Sequence, residues 1–129
     1  MSNQETEYQS FHELQEIKKA IQPYIGSAKS GNADQGLSAF YDHALIVGAV
    51  GGNFSVGTTA QFKQAFSQMG ASPDVQSEIA WIDISGPAAV AKVEFYNWQG
   101  FRFTDYLSLF KHENQWKVSG KVFDAHSKN

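Results

Sequence analysis

Ala88–Asp124 reads AAVAKVEFYNWQGFRFTDYLSLFKHENQWKVSGKVFD, and its alternation of apolar and polar residues decides the fold class. Ala88–Trp98, Phe101–Lys111 and Gln115–Asp124 are strand-length runs, separated by Gln99-Gly100 and His112-Glu113-Asn114, which are turn sequences. Upstream, Val75–Ile84 has the same character and is set off by Ser85-Gly86-Pro87, so four strands in an antiparallel meander are expected. Successive strand residues point to opposite faces. One face of the third run therefore carries Phe103, Asp105, Leu107 and Leu109, and the other carries Arg102, Thr104, Tyr106 and Ser108. By the same rule Ala89, Ala91, Val93 and Phe95 form an inner face, as do Trp116, Val118, Gly120 and Val122. Lys117, Ser119 and Lys121 are expected on the outside.

Before the meander the period changes from two to 3.6. Ser10 and Glu13 make a capping box ahead of Phe11, Leu14, Ile17, Ile21, Tyr24, Ile25 and Ala28, which share a helical stripe, with a kink or break expected at Pro23. Residues 1–9 lack this periodicity and read as a flexible tail or a helix extension, leaving 10–129 as one domain. Asn32 caps a short second helix whose apolar face is Leu37 and Phe40. Leu45-Ile46-Val47 and Phe54–Val56 read as strands around Gly51-Gly52-Asn53, and Thr58 with Gln61 opens a third helix through Phe62, Ala65, Phe66 and Met69 to Gly70. Helices gathered early and strands gathered late give an α+β domain whose helices cover one face of a sheet.

Composition narrows the chemistry. The chain has 129 residues, a net charge of −3 and no cysteine, which excludes disulfides, thiolate metal sites and a sulfur nucleophile. Its ten Lys and Arg residues are scattered, so nucleic acid is not an expected partner. The polar, acidic start is unlike a signal peptide, no apolar run is long enough to span a membrane, and a cytoplasmic location is expected. His12, His43, His112 and His126 have no metal-ligand spacing, and no metal or cofactor is expected. Tyr96, Trp98, Tyr106 and Phe123 among Lys92, Glu94, Arg102 and Lys121 make an aromatic outer sheet face, a candidate contact between two copies of the chain.

The order of elements resembles the nuclear transport factor 2-like superfamily. So does the wording of Ile21-Gln-Pro-Tyr24-Ile25 with Ser30-Gly31-Asn32, and of Leu37-Ser-Ala-Phe40-Tyr-Asp42-His-Ala44. Phe103-Thr-Asp105-Tyr-Leu-Ser-Leu109, Trp116-Lys-Val118 and Lys121-Val122-Phe123 are similar to the closing hairpin of its branch called putative lumazine-binding, which stands near the SnoaL-like proteins. The resemblance implies a cone with a pocket between the helices and a concave sheet. That pocket would be lined by Tyr24, Phe40, Phe66, Phe95, Phe103, Asp105, Leu107 and Trp116. Aligned with ketosteroid isomerase, a member of the superfamily, Tyr24 and Asp105 fall on its hydrogen-bonding tyrosine and aspartate, whereas Gly48 falls where its proton-shuttling aspartate stands.

Asp105 is the one ionisable residue on its strand face, and burial there raises a carboxyl pKa. Three functional readings follow. Tyr24 and Asp105 hold a small apolar or planar ligand. Alternatively they stabilise an enolate in an isomerase, cyclase or dehydratase with a base still to be found, for which Asp42, Asp83 and Glu94 are the candidates. In the third reading they make a structural bond in a filled core, and the outer face is the working surface.

Overall fold

The structure is a computed structural model that describes the backbone of residues 3–128 and the side chains of residues 10–126. Three helices, α1 (Asn3–Ser30), α2 (Ala33–Leu37) and α3 (Thr59–Met69), accompany six strands, β1 (Phe40–Val50), β2 (Asn53–Thr58), β3 (Gln76–Ser85), β4 (Ala88–Trp98), β5 (Phe101–His112) and β6 (Gln115–Lys128). The strands form one sheet in the order β2-β1-β6-β5-β4-β3. β3 to β6 are the expected meander, but β1 lies parallel to β6 while every other neighbour is antiparallel. The parallel pair arises because α3 carries the chain from β2 at one sheet edge to β3 at the other, and the meander then returns to β1.

Helix α1 buries Ile17, Ile21, Tyr24 and Ala28, spaced three or four residues apart, against the sheet. Fully burying such a side chain stabilises by roughly 1.5–3 kcal/mol, which explains why Pro23 costs a backbone hydrogen bond without breaking the helix. Helix α1 begins at Asn3, so of the two readings of residues 1–9 the helix extension holds from that residue on, and Ser10 with Glu13, lying inside the helix, is not the capping box expected from the sequence. Glu13 instead receives hydrogen bonds from Lys111 Nζ and Trp116 Nε1, both at 2.9 Å, and so clamps α1 to the β5–β6 hairpin. Burial pushes the Glu13 carboxyl up, but these two donors and the Lys111 charge outweigh it and hold it below the usual carboxylate range. Asn32 and Thr58 cap α2 and α3 as expected, the latter with a complete capping box. Phe40 opens β1 rather than belonging to α2. Among the described residues no helix is long and apolar enough to cross a membrane.

Two β-bulges decide which side chains reach the interior. In β4, Phe95 pairs with Phe103 but Trp98 pairs with Phe101, so β4 has one residue more than β5 over this span. Asn97 takes a left-handed φ of 61°, and Ser72 after α3 holds the distortion by bonding the Asn97 carbonyl at 3.2 Å and the Gln99 N–H at 3.0 Å. Trp98 consequently turns inward and is buried, a correction to its expected place on the outer face. In β6, Val118 pairs with Leu109 and Gly120 with Ser108, which leaves Ser119 as an extra residue. From there the alternation is reversed. Lys121 is buried at 2 % exposure, Phe123 is half-buried on the inside, and Val122, expected inside, is 57 % exposed.

Candidate functional site

The reversal in β6 brings Lys121 against the two residues singled out from the sequence. Asp105 on β5, Tyr24 on α1 and Lys121 are all buried, and they bond in series. Lys121 Nζ donates to Tyr24 Oη at 2.6 Å, and Tyr24 Oη donates to Asp105 Oδ2 at 2.5 Å. The ammonium and carboxylate stand 3.6 Å apart, an ion pair bridged by the phenol. Asp105 Oδ1 has no hydrogen-bond partner, so the carboxylate charge is incompletely satisfied. Burial is the leading cause of all three pKa shifts: the Asp105 carboxyl goes up, the Lys121 ammonium goes down, and the Tyr24 phenol goes well up, helped by the Asp105 charge. Opposing this, the rings of Phe62, Phe123, Tyr24 and Trp98 surround Lys121 Nζ at 4.2, 4.8, 4.9 and 5.8 Å and favour its charged form.

A cavity of about 330 Å³ lies between α3, the β1–β2 hairpin and the concave sheet. Ile46, Phe62, Phe66, Trp98, Phe103 and Phe123 form much of its apolar wall, with exposed Ser55, Gln61 and Ala65 at its rim. Lys121 is its one ionisable lining residue among those described. Of the side chains expected to line the pocket, Phe66 and Phe103 do so. Tyr24 and Asp105 lie behind Lys121, and Phe40 and Phe95 pack edge-on against the Tyr24 ring at 5.4 and 5.8 Å. Leu107 is buried elsewhere in the core, and Trp116 sits at the Glu13 clamp beside a separate, polar surface groove of about 510 Å³. That groove shares no residue with the cavity.

The candidate bases fall elsewhere. Asp42 and Asp83 are exposed, and Glu94 is buried on the outer face, where Thr104 Oγ1 donates to it at 2.8 Å and Lys92 and Arg102 pair with it at 3.7 and 3.5 Å. His43 stacks on Tyr41 and does not pair with Asp42. At Gly48 a Cβ would come within 2.4 Å of the Phe123 ring, so the space a base would need there is occupied by an aromatic side chain. Phe123 is thereby removed from the expected outer face, which keeps Tyr96, under Arg102, and exposed Tyr106 beside exposed Trp81.

Lys121 was the residue sequence reasoning missed. Its signal was weak but present: Ser119-Gly120 sits opposite Ser108, and a small residue pair inside a strand is where a bulge is tolerated.

Comparison with known proteins bears on the family and the fold. Residues 12–124 match the model of the family described as putative lumazine-binding. An NTF2-like protein of unknown function from Methylobacillus flagellatus is 32% identical, superposes with a TM-score of 0.85, and is covered over 94% of its length by 90% of this chain. Another from Shewanella baltica is 29% identical with a TM-score of 0.86, the match spanning 92% of this chain and 97% of that one. A curated relative from Cladobotryum, Aldolase FrzH, is 21% identical over 104 residues, which are 80% of this chain and 83% of that protein. A family-model match over residues 12–124, together with an α+β fold that superposes on NTF2-like proteins, makes this chain a member of the putative lumazine-binding family within the nuclear transport factor 2-like superfamily.

Proposed function

We propose that the protein binds a small, largely apolar, planar molecule in the cavity between α3 and the sheet, and receives one of its oxygens on the Lys121 ammonium. The observation that carries this reading is a buried cation, the single one lining the site among the described residues, at the wall of a mainly apolar cavity of about 330 Å³, a volume within the range of small-molecule sites. Aromatic walls supply contact area without a defined partner, whereas the Nζ is a directional donor for a carbonyl or anionic oxygen. The family description names lumazine, and a fused bicyclic ring bearing carbonyl oxygens suits such a wall. Tyr24 and Asp105 then serve from behind, holding the ammonium in place.

A proton-shuttling isomerase is the less favoured reading. Moving hydrogen between carbons needs a base beside the substrate. The cavity wall carries no carboxylate or histidine among the described residues, and Phe123 occupies the space at Gly48.

The test is titration with 2-naphthoate, followed by fluorescence of Trp98, which lines the cavity. Binding should be tighter than that of naphthalene, and Ala65→Trp at the rim should weaken it at least about tenfold, or about 1.4 kcal/mol. Equal affinities for unaltered protein and Ala65→Trp would remove the cavity from consideration.

A further inference from the structure

We propose that Lys121 binds its ligand covalently: the Nζ condenses with the aldehyde or ketone of an apolar carbonyl compound in the cavity to form an imine, with Tyr24 and Asp105 handling the protons. This rests on the cavity being the ligand site, as argued above.

Three geometric observations carry it. Lys121 lines the cavity, with its Nζ 4.2, 4.8 and 5.8 Å from the rings of the lining residues Phe62, Phe123 and Trp98, whereas Tyr24 and Asp105, which bond to it, do not line it, so the proton acceptors stand behind the amine. The two hydrogen bonds, at 2.6 and 2.5 Å, form a continuous path from Nζ through the Tyr24 oxygen to Asp105 Oδ2. Asp105 Oδ1 is buried and unpartnered, so the charged carboxylate is poorly satisfied and gains by taking a proton. The direction of the shifts agrees, since burial lowers the lysine and raises the aspartate. A lysine desolvated in an apolar pocket is the setting in which an amine acts as a nucleophile at a carbonyl.

The step balances within these groups. Lys121 passes a proton to Tyr24 as Tyr24 passes its own to Asp105, leaving a neutral amine and a neutral carboxyl. The nitrogen lone pair attacks the carbonyl carbon, a C–N bond forms, and the C=O π pair moves to oxygen, which takes a proton from the nitrogen to give a carbinolamine. The Asp105 proton then returns through Tyr24 to the carbinolamine hydroxyl, which leaves as water while the nitrogen lone pair forms C=N. Ammonium and carbonyl become a protonated imine and one water, and Asp105 is again a carboxylate.

The experiment treats the protein with 2-naphthaldehyde and sodium cyanoborohydride and follows intact mass and peptide maps over time. The expected result is one reduced adduct per chain, on Lys121, formed at least about ten times faster than on Lys19 or Lys63, whose side chains are 75% and 52% exposed. Labelling of the exposed lysines with Lys121 unmodified overturns the proposal. Mapping is done on the unaltered protein, so no variant of the buried lysine has to fold. Naphthoate binding without a Lys121 adduct overturns the covalent step and leaves the cavity reading standing, whereas the absence of both overturns both. Tyr24→Phe should slow labelling of Lys121 on the order of 100-fold while leaving the labelling rate of Lys19 and Lys63, which lie outside the site, unchanged. Labelling of that variant at the unaltered rate overturns the proton path.

Discussion

Replacing Asp105 with Asn leaves the Lys121 ammonium in the core without its counter-charge, and the consequence can be worked through. Removing one partner of a buried ion pair typically costs about 3–5 kcal/mol, because the remaining charge is uncompensated. The lysine has an escape, which is to unfold its charge by releasing a proton. From the ordinary lysine value of 10.5, releasing that proton at pH 7 costs about 4.8 kcal/mol, so the loss at neutral pH is capped near that figure. For 129 residues the unfolding entropy is about 0.27 kcal/mol per K, so a loss of 3–5 kcal/mol lowers Tm by roughly 11–18 °C. The sign of the pH dependence follows from the lowered lysine. A group that holds its proton less tightly when folded adds stability as pH rises towards its unfolded value, so the Asp105→Asn penalty shrinks to at most about 2 kcal/mol at pH 9. The groups facing Lys121 are Tyr24 from α1 and Asp105 from β5. The phenol is pushed well up, so it keeps its proton through this range. Urea unfolding of Asp105→Asn, Lys121→Met and the double variant at pH 7 and pH 9 measures this. The double variant, lacking both charges, should lie within about 1 kcal/mol of the unaltered protein. Additive losses in the double variant, or a penalty independent of pH, would refute the coupling.

Two further outcomes test the surrounding frame. Gly48→Ala places a Cβ 2.4 Å from both the ring and the carbonyl oxygen of Phe123, and overpacking of this kind costs about 1–3 kcal/mol. Urea unfolding should show that loss, and adding Phe123→Ala should recover only the part due to the ring. Glu13→Gln weakens the clamp on Lys111 and Trp116 by about 1 kcal/mol, less than a buried charge-assisted bond contributes, because the clamp is partly exposed. Because the folded Glu13 carboxyl lies below the ordinary glutamate value of 4.5, its contribution is present above that pH and is lost as pH falls through the folded value. Thermal melts from pH 7 down to pH 3 should therefore show a shallower acid decline for Glu13→Gln than for the unaltered protein.

The sequence by itself determined the class of fold and most of the elements. Caps at Asn32 and Thr58, the turn at Gln99-Gly100 and the period-two runs are local features, set by hydrogen bonds and side-chain directions within a few residues. It also determined that Asp105 looks inward, because the alternation of β5 is unbroken from Phe103 to Ser108. Only the tertiary structure decided what meets Asp105 there. Alternation predicts a face only while strand pairing stays in step, and the extra residue at Ser119 is defined by the partner strand β5, not by β6 itself. That one residue exchanges Val122 for Lys121 and Phe123 on the inner face, as the bulge held by Ser72 does for Trp98. The buried cation and two aromatic walls of the cavity are therefore products of register, which a single strand does not contain.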